Sequence, residues 1–119
     1  MHSALRIPNT DRLPLPGDDE RIDGNLVPGC RSRVWLIGEI LEGRAQFRAD
    51  ADSQLVKGLV TLLWEIAHDL PAADLATAPD EPPAVAALQL DRQLSPTRLH
   101  GIGQVWRRMR ALAGGPTKS

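Results

Sequence analysis

The sequence predicts an α+β fold, a small antiparallel sheet with helices packed on it, and three stretches carry that expectation. Two runs with strand character, Arg33 to Leu41 and Arg44 to Asp50, are separated by Glu42-Gly43, a pair suited to a two-residue hairpin turn. Leu55, Val56, Leu59, Val60, Leu62, Leu63, Ile66 and Ala67 then recur at helical spacing. A second helical stripe, Leu99, Ile102, Val105, Trp106, Met109 and Leu112, follows Ser95-Pro96, a hydroxyl N-cap with proline at the first helical position.

Taken in order, residues Met1 to Asp23 hold Pro8, Pro14, Pro16 and the acidic run Asp18-Asp19-Glu20. This composition predicts an extended lead-in over 1–23, draped on a domain of residues 24–114. Asn25-Leu26-Val27 reads as a short first strand, which makes the sheet three-stranded. Pro28 fixes φ and lacks an amide donor, and Gly29 can take a positive φ, so the chain is expected to reverse there and return as Val34-Trp35-Leu36-Ile37. Cys30 then sits at the tip of that hairpin, open to a partner.

Pairing across Glu42-Gly43 sets Ile40 opposite Ala45, Gly38 opposite Phe47 and Leu36 opposite Ala49 on one face. The missing side chain at Gly38 leaves room for the Phe47 ring. Trp35 and Ile37 lie on the reverse face and need cover, for which Leu13 and Leu15 of the lead-in are the candidates. Asp50-Ala51-Asp52-Ser53 offers N-caps to the first long helix, which Leu70-Pro71 ends. A short helix is expected at Ala72 to Leu75, and a helical turn around Val85 to Leu90 after the break at Pro79, Pro82 and Pro83. Gly114-Gly115-Pro116 stops the last helix and leaves 115–119 as a disordered tail.

At 119 residues the chain has the size of one ordinary domain, and with one Phe, three Trp and no Tyr its core must be aliphatic. A net charge of −1 argues against a nucleic-acid or polybasic membrane partner. No apolar run reaches the length of a membrane span, and the N-terminal stretch has no signal-peptide core. One cysteine cannot form an internal disulfide, so a cytoplasmic, reducing location is expected.

Chemistry converges on Cys30. A zinc or iron–sulfur site needs three or four soft or imidazole ligands, and His2, His68 and His100 show no ligand spacing, so neither metal nor cofactor is expected. A Cys–His nucleophile pair with His68 or His100 is conceivable, although nothing in the sequence supplies a third, orienting residue. Arg31 and Arg33 flank the thiol, and nearby positive charge favours the reactive thiolate, which predicts a lowered pKa. Arg107, Arg108 and Arg110 stand near the end of the last helix, where its dipole favours cations.

These residues resemble the SufE family, sulfur-acceptor proteins that work beside cysteine desulfurases in iron–sulfur cluster assembly. Four segments carry the resemblance, in the family's order: Leu13-Pro14-Leu15-Pro16, then Val27-Pro28-Gly29-Cys30-Arg31-Ser32-Arg33-Val34-Trp35-Leu36, then Asp50-Ala51-Asp52-Ser53-Gln54-Leu55-Val56-Lys57-Gly58-Leu59, and Leu94-Ser95-Pro96-Thr97-Arg98-Leu99-His100-Gly101. The match runs from Leu13 to Ala113. It implies a fold shared with the iron–sulfur scaffold proteins (SufE/IscU-like), with a three-stranded antiparallel sheet and packed helices. The family's acceptor cysteine falls on Cys30, its partner-sensitive aspartate on Asp52 and its final-helix arginine on Arg98; Arg31, Arg33 and His100 complete the expected partner-binding set. The sequence departs from the family in three places. It begins where members usually have already built an N-terminal helix, Arg31 and Arg33 stand where glutamines are common, and Ala51 stands where serine is favoured.

The resemblance implies a persulfide carrier that takes sulfur from a SufS- or CsdA-like cysteine desulfurase onto Cys30 and passes it to an iron–sulfur scaffold complex. A single cysteine favours carrier over scaffold, since scaffolds hold clusters through several. The alternative is an interaction module that binds and activates a desulfurase without carrying sulfur. A thiol-dependent hydrolase built on Cys30 and a histidine ranks last.

Overall fold

The structure, a computed structural model, describes residues 10–114; the start of the expected lead-in and the expected tail at 115–119 lie outside them. β1 (Val34–Leu41) and β2 (Arg44–Ala51) form the hairpin in the register that the alternation dictates, with Leu36 opposite Ala49, Gly38 opposite Phe47 and Ile40 opposite Ala45. Glu42 and Gly43 both adopt positive φ, 53° and 78°, the turn geometry whose twist matches that of the flanking strands.

A Cβ on Gly38 would lie 2.8 Å from the Phe47 ring and 3.1 Å from Leu112. Bare backbone is therefore required where the ring and the last helix meet the sheet. Gly38→Ala is expected to destabilise the domain by about 1–3 kcal/mol, the cost of overpacking a filled core. The midpoint of urea unfolding measures it, and an unchanged midpoint would mean that ring and helix move apart freely.

The sheet has two strands, not three. Asp23–Asn25 curls into a 3-10 turn in which the amides of Asn25 and Leu26 bond to the carbonyls of Ile22 and Asp23. The Asn25 side chain fixes that curl by donating to the Glu20 carbonyl at 2.8 Å. Asp, Gly and Asn in succession favour such local turns over a ladder. What remains of the third strand is one bridge, Leu26 to Trp35, and a 2.9 Å bond from the Val27 amide to the Val34 carbonyl.

The helices start where their caps are. Ser53 accepts from the Val56 amide to open α1 (Gln54–Ala67), and Ser95 accepts from the Arg98 amide to open α5 (Pro96–Gly114). Between them lie α2 (Ala72–Ala76), α3 (Pro83–Leu88) and α4 (Leu90–Gln93). The single turn expected near Val85 is two short helices, divided by Gln89 at a φ of 52°. Leu59, Val60 and Leu63 of α1 and Ile102, Val105, Trp106 and Met109 of α5 bury against Leu36, Phe47 and Ala49 of the sheet, in one core. The Trp106 indole N–H donates to the Pro79 carbonyl at 2.9 Å, which ties the proline-rich connection to α5.

The described part of the lead-in is not simply extended, since it forms 3-10 turns at Thr10–Arg12 and Asp18–Glu20, and it does not place two leucines on the reverse face. Leu13 is buried in the core beside α1, and the Pro14 carbonyl accepts from the Ala49 amide at 2.9 Å on the outer edge of β2, while Leu15 is exposed. The reverse face is covered by ion pairs instead. Arg21 bonds Asp50 and lies 5.7 Å over the Trp35 ring, and Arg48 bonds both Glu20 and Glu39. Burial pushes the Asp50 carboxyl up, but the bond from Arg21, the Ala51 amide and the charges of Lys57 and Arg21 outweigh it and hold the group below its ordinary range. Glu20 is likewise lowered, first by the Gly17 amide and then by Arg48. The ionised form of both carboxylates is therefore favoured, which keeps their pairs with Arg21 and Arg48.

Candidate functional site

The Pro28-Gly29 turn sets Cys30 against the first turns of α5. Gly29 has a φ of 86°, and the Gln104 side chain packs so tightly on it that a Cβ would lie 2.7 Å from Nε2. The same Gln104 Nε2 donates to the Pro28 carbonyl at 3.3 Å. One residue on, the Cys30 thiol donates to the Gly101 carbonyl, with Sγ 3.5 Å from the oxygen. At the far end of the loop, Arg33 and Asp52 exchange two bonds. The Arg33 amide donates to Asp52 Oδ1 at 3.2 Å, and the Asp52 amide to the Arg33 carbonyl at 3.1 Å. Loop 28–33 is thus held by α5 at one end and by the entry to α1 at the other.

Between this loop, α1 and α5 lies a cleft of about 380 Å³. Its floor is aliphatic, from Val56, Leu59, Val60 and Leu63 of α1 and Ile102 and Val105 of α5. Its rim carries Cys30, Arg31, Ser32, Ser95, Thr97, Arg98 and Gly101. Cys30 is half-buried there. Burial pushes its thiol pKa up, contrary to the lowering expected from its neighbours in sequence. Arg31 and Arg33 are exposed, where solvent screens their charge, so desolvation of the sulfur governs. The isolated protein therefore holds a protonated thiol, hydrogen-bonded and turned to a helix carbonyl.

Of the residues singled out in the sequence, the structure brings Cys30, Arg31 and Arg98 to one cleft. Asp52 does not line it but anchors its loop, and Arg33 stands at that anchor. His100 lies elsewhere, on a second groove between α5 and the 80–91 segment, with Asp80, Asp91, Leu99 and Arg107. His68 stacks on Trp64 with ring centroids 4.7 Å apart. Neither histidine lines the Cys30 cleft, so the Cys–His pair has no support in the geometry. Among the described residues, no three His, Cys, Asp or Glu side chains gather as a metal site, and no helix is long and apolar enough to cross a membrane.

Two residues of the site escaped the sequence reading. Gly101 had a visible signal, a glycine inside a helix, where it costs about 1 kcal/mol against alanine and so invites a reason. A Cβ there would lie 3.8 Å from Cys30 Sγ, ordinary contact, so the residue contributes its carbonyl rather than an empty space. Gln104 had no signal, because nothing local distinguishes it from any exposed helix glutamine.

Comparison with known proteins bears on the fold and the family. The fold is similar to the solution structure of a hypothetical protein from Thermus thermophilus, with a TM-score of 0.71 at 17% identity, covering 87% of this chain and 75% of that one. The family model of the SufE domain, described as an Fe-S metabolism associated domain, matches residues 7–113, which take in most of the lead-in, the Cys30 loop, the hairpin, the first long helix and nearly all of the last. The chain belongs to the SufE family, and through it is associated with Fe–S metabolism.

Proposed function

We propose that the protein is a sulfur carrier that accepts persulfide sulfur from a cysteine desulfurase onto Cys30. The observation that carries the reading is a lone thiol placed at the mouth of an aliphatic cleft, on a loop fastened by a few hydrogen bonds. Once the loop is drawn off α5, the Cys30 thiol loses its proton to solvent and its thiolate attacks the outer sulfur of the donor's persulfide. A new S–S bond forms at Cys30 as the donor's S–S bond breaks, and the electron pair leaves with the donor cysteine as thiolate. The step has the form of thiol–disulfide exchange, so thiolate fraction, leaving group and access set its rate. The resulting Cys30 persulfide can fold back over the aliphatic floor, which keeps water and small thiols away, and later pass its outer sulfur to an iron–sulfur scaffold. No cofactor enters the step. Arg31, Arg33, Asp52 and Arg98 would face the partner, His100 would flank it, and the reducing cytoplasm suits a thiol that must stay free.

Incubation with the cysteine desulfurase of the same organism and free cysteine is expected to add the mass of one or more sulfur atoms to the protein. The adduct should map to Cys30 by non-reducing mass spectrometry and be absent from Cys30→Ser. Stimulation of the desulfurase by Cys30→Ser equal to wild type, with no adduct on either, would favour the non-carrying interaction module.

A further inference from the structure

The chain is close to neutral, yet its unpaired cations are not spread evenly. Arg12, Arg21, Arg48, Lys57, Arg107 and Arg110 are each bonded to a carboxylate, and Arg44 to the Asp69 carbonyl. Among the described residues, the side chains of Arg31, Arg33, Arg92, Arg98 and Arg108 make no ion pair or hydrogen bond. Three of these five, Arg31, Arg33 and Arg98, belong to the Cys30 loop or its cleft. Arg31 and Arg98 are on the rim of the Cys30 cleft, and Arg33 closes the loop. Arg108 is one helical turn beyond Gln104, which holds the Pro28 carbonyl. Asp52, the carboxylate bonded to this loop, is already engaged by the Arg33 amide. The acidic side chains Asp80, Glu81 and Asp91 line the other groove of α5.

Exposed guanidiniums left without a partner contribute little to the stability of the isolated domain, and each is free to meet an anion. We infer that the face around Cys30 docks against an acidic surface of the protein that donates the sulfur. The inference rests on the carrier reading and names the chemistry of its partner. A net charge of −1 gives the whole molecule no general attraction to anions, so complementarity is confined to this face and orients the encounter with the thiol foremost. Arg31 and Arg98 border the cleft itself, so a donor carboxylate beside its persulfide meets them as the sulfur reaches Cys30.

The test is the association rate of the full chain with the cysteine desulfurase of the same organism, followed at low and at high salt. The rate is expected to fall by about tenfold or more as the Debye length shrinks from about 10 Å at 0.1 M salt to about 3 Å at 1 M. The variant carrying Arg31→Gln, Arg33→Gln and Arg98→Gln should associate slowly at both and lose most of the salt dependence. Its unfolding midpoint should match wild type, since all three side chains are exposed. Poly-L-glutamate should compete for the face and poly-L-lysine should not. A rate indifferent to salt and to the triple substitution overturns the inference, even where Cys30 acquires sulfur normally. Salt-dependent association with no adduct at Cys30 supports the inference and overturns the carrier reading instead. Binding of the same arginines to phosphatidylserine vesicles, with no salt-dependent desulfurase association, assigns the face to membranes and also overturns it.

Discussion

Replacing Asp52 with alanine should speed alkylation of Cys30 about fivefold at neutral pH. The Asp52 carboxylate accepts the Arg33 amide, and this bond helps keep loop 28–33 down with the thiol against Gly101. A hydrogen bond of this kind contributes about 1 kcal/mol, which corresponds to about a fivefold change in the open population. The rate of reaction with iodoacetamide, followed by mass spectrometry, reads that population directly. In wild type the rate should rise with pH along a curve displaced above that of free cysteine, because burial raises the thiol pKa. The same displacement has a consequence for stability. A folded-state pKa above the unfolded one gives a contribution that is whole below the unfolded value and is lost as pH rises through the folded one. Cys30→Ser should therefore lose part of the alkaline decline in stability seen in wild type. Equal alkylation rates in Asp52→Ala and wild type would mean that α5 alone, through Gln104 and Gly101, holds the loop.

What the sequence reveals and what it hides divides by range. The hairpin register follows from a period of two and a two-residue turn, so Gly38 falls opposite Phe47 without any knowledge of the rest. Ser53 and Ser95 mark helix starts because the cap bond spans three residues. The third strand fails for an equally local reason, since Asp23-Gly24-Asn25 satisfies its own amides by curling. The environment of Cys30 was not legible, because its partners lie far along the chain. Gly101 is 71 residues away and the bond from Gln104 to Pro28 spans 76. Arg31 and Arg33 are neighbours of the thiol in sequence, but exposure separates their charge from it electrostatically. Proximity along the chain predicted a thiolate; burial in the fold keeps a thiol.

The largest loss of stability is expected from a residue of the lead-in, Leu13. It is 3% exposed, whereas Leu15, two positions on and alike in chemistry, is 49% exposed. Leu13→Ala should therefore cost about 2–5 kcal/mol, the range for emptying a buried leucine site, out of the roughly 5–15 kcal/mol that holds an ordinary domain together. Leu15→Ala should fall within about 0.5 kcal/mol of wild type, as surface substitutions do. The next residue adds a second tie, because the Pro14 carbonyl satisfies the amide of the fully buried Ala49. Removing residues up to Pro16 should accordingly destabilise the domain beyond Leu13→Ala by about 1–3 kcal/mol, the penalty for an orphaned buried amide. It would also uncover an edge of β2 and an apolar patch, so light scattering should show self-association. Chemical denaturation of the three variants separates the contributions. A Leu13→Ala protein as stable as Leu15→Ala would mean that the core closes over the vacated site, and that the lead-in is held by its ion pairs at Glu20 and Arg21 rather than by its leucine.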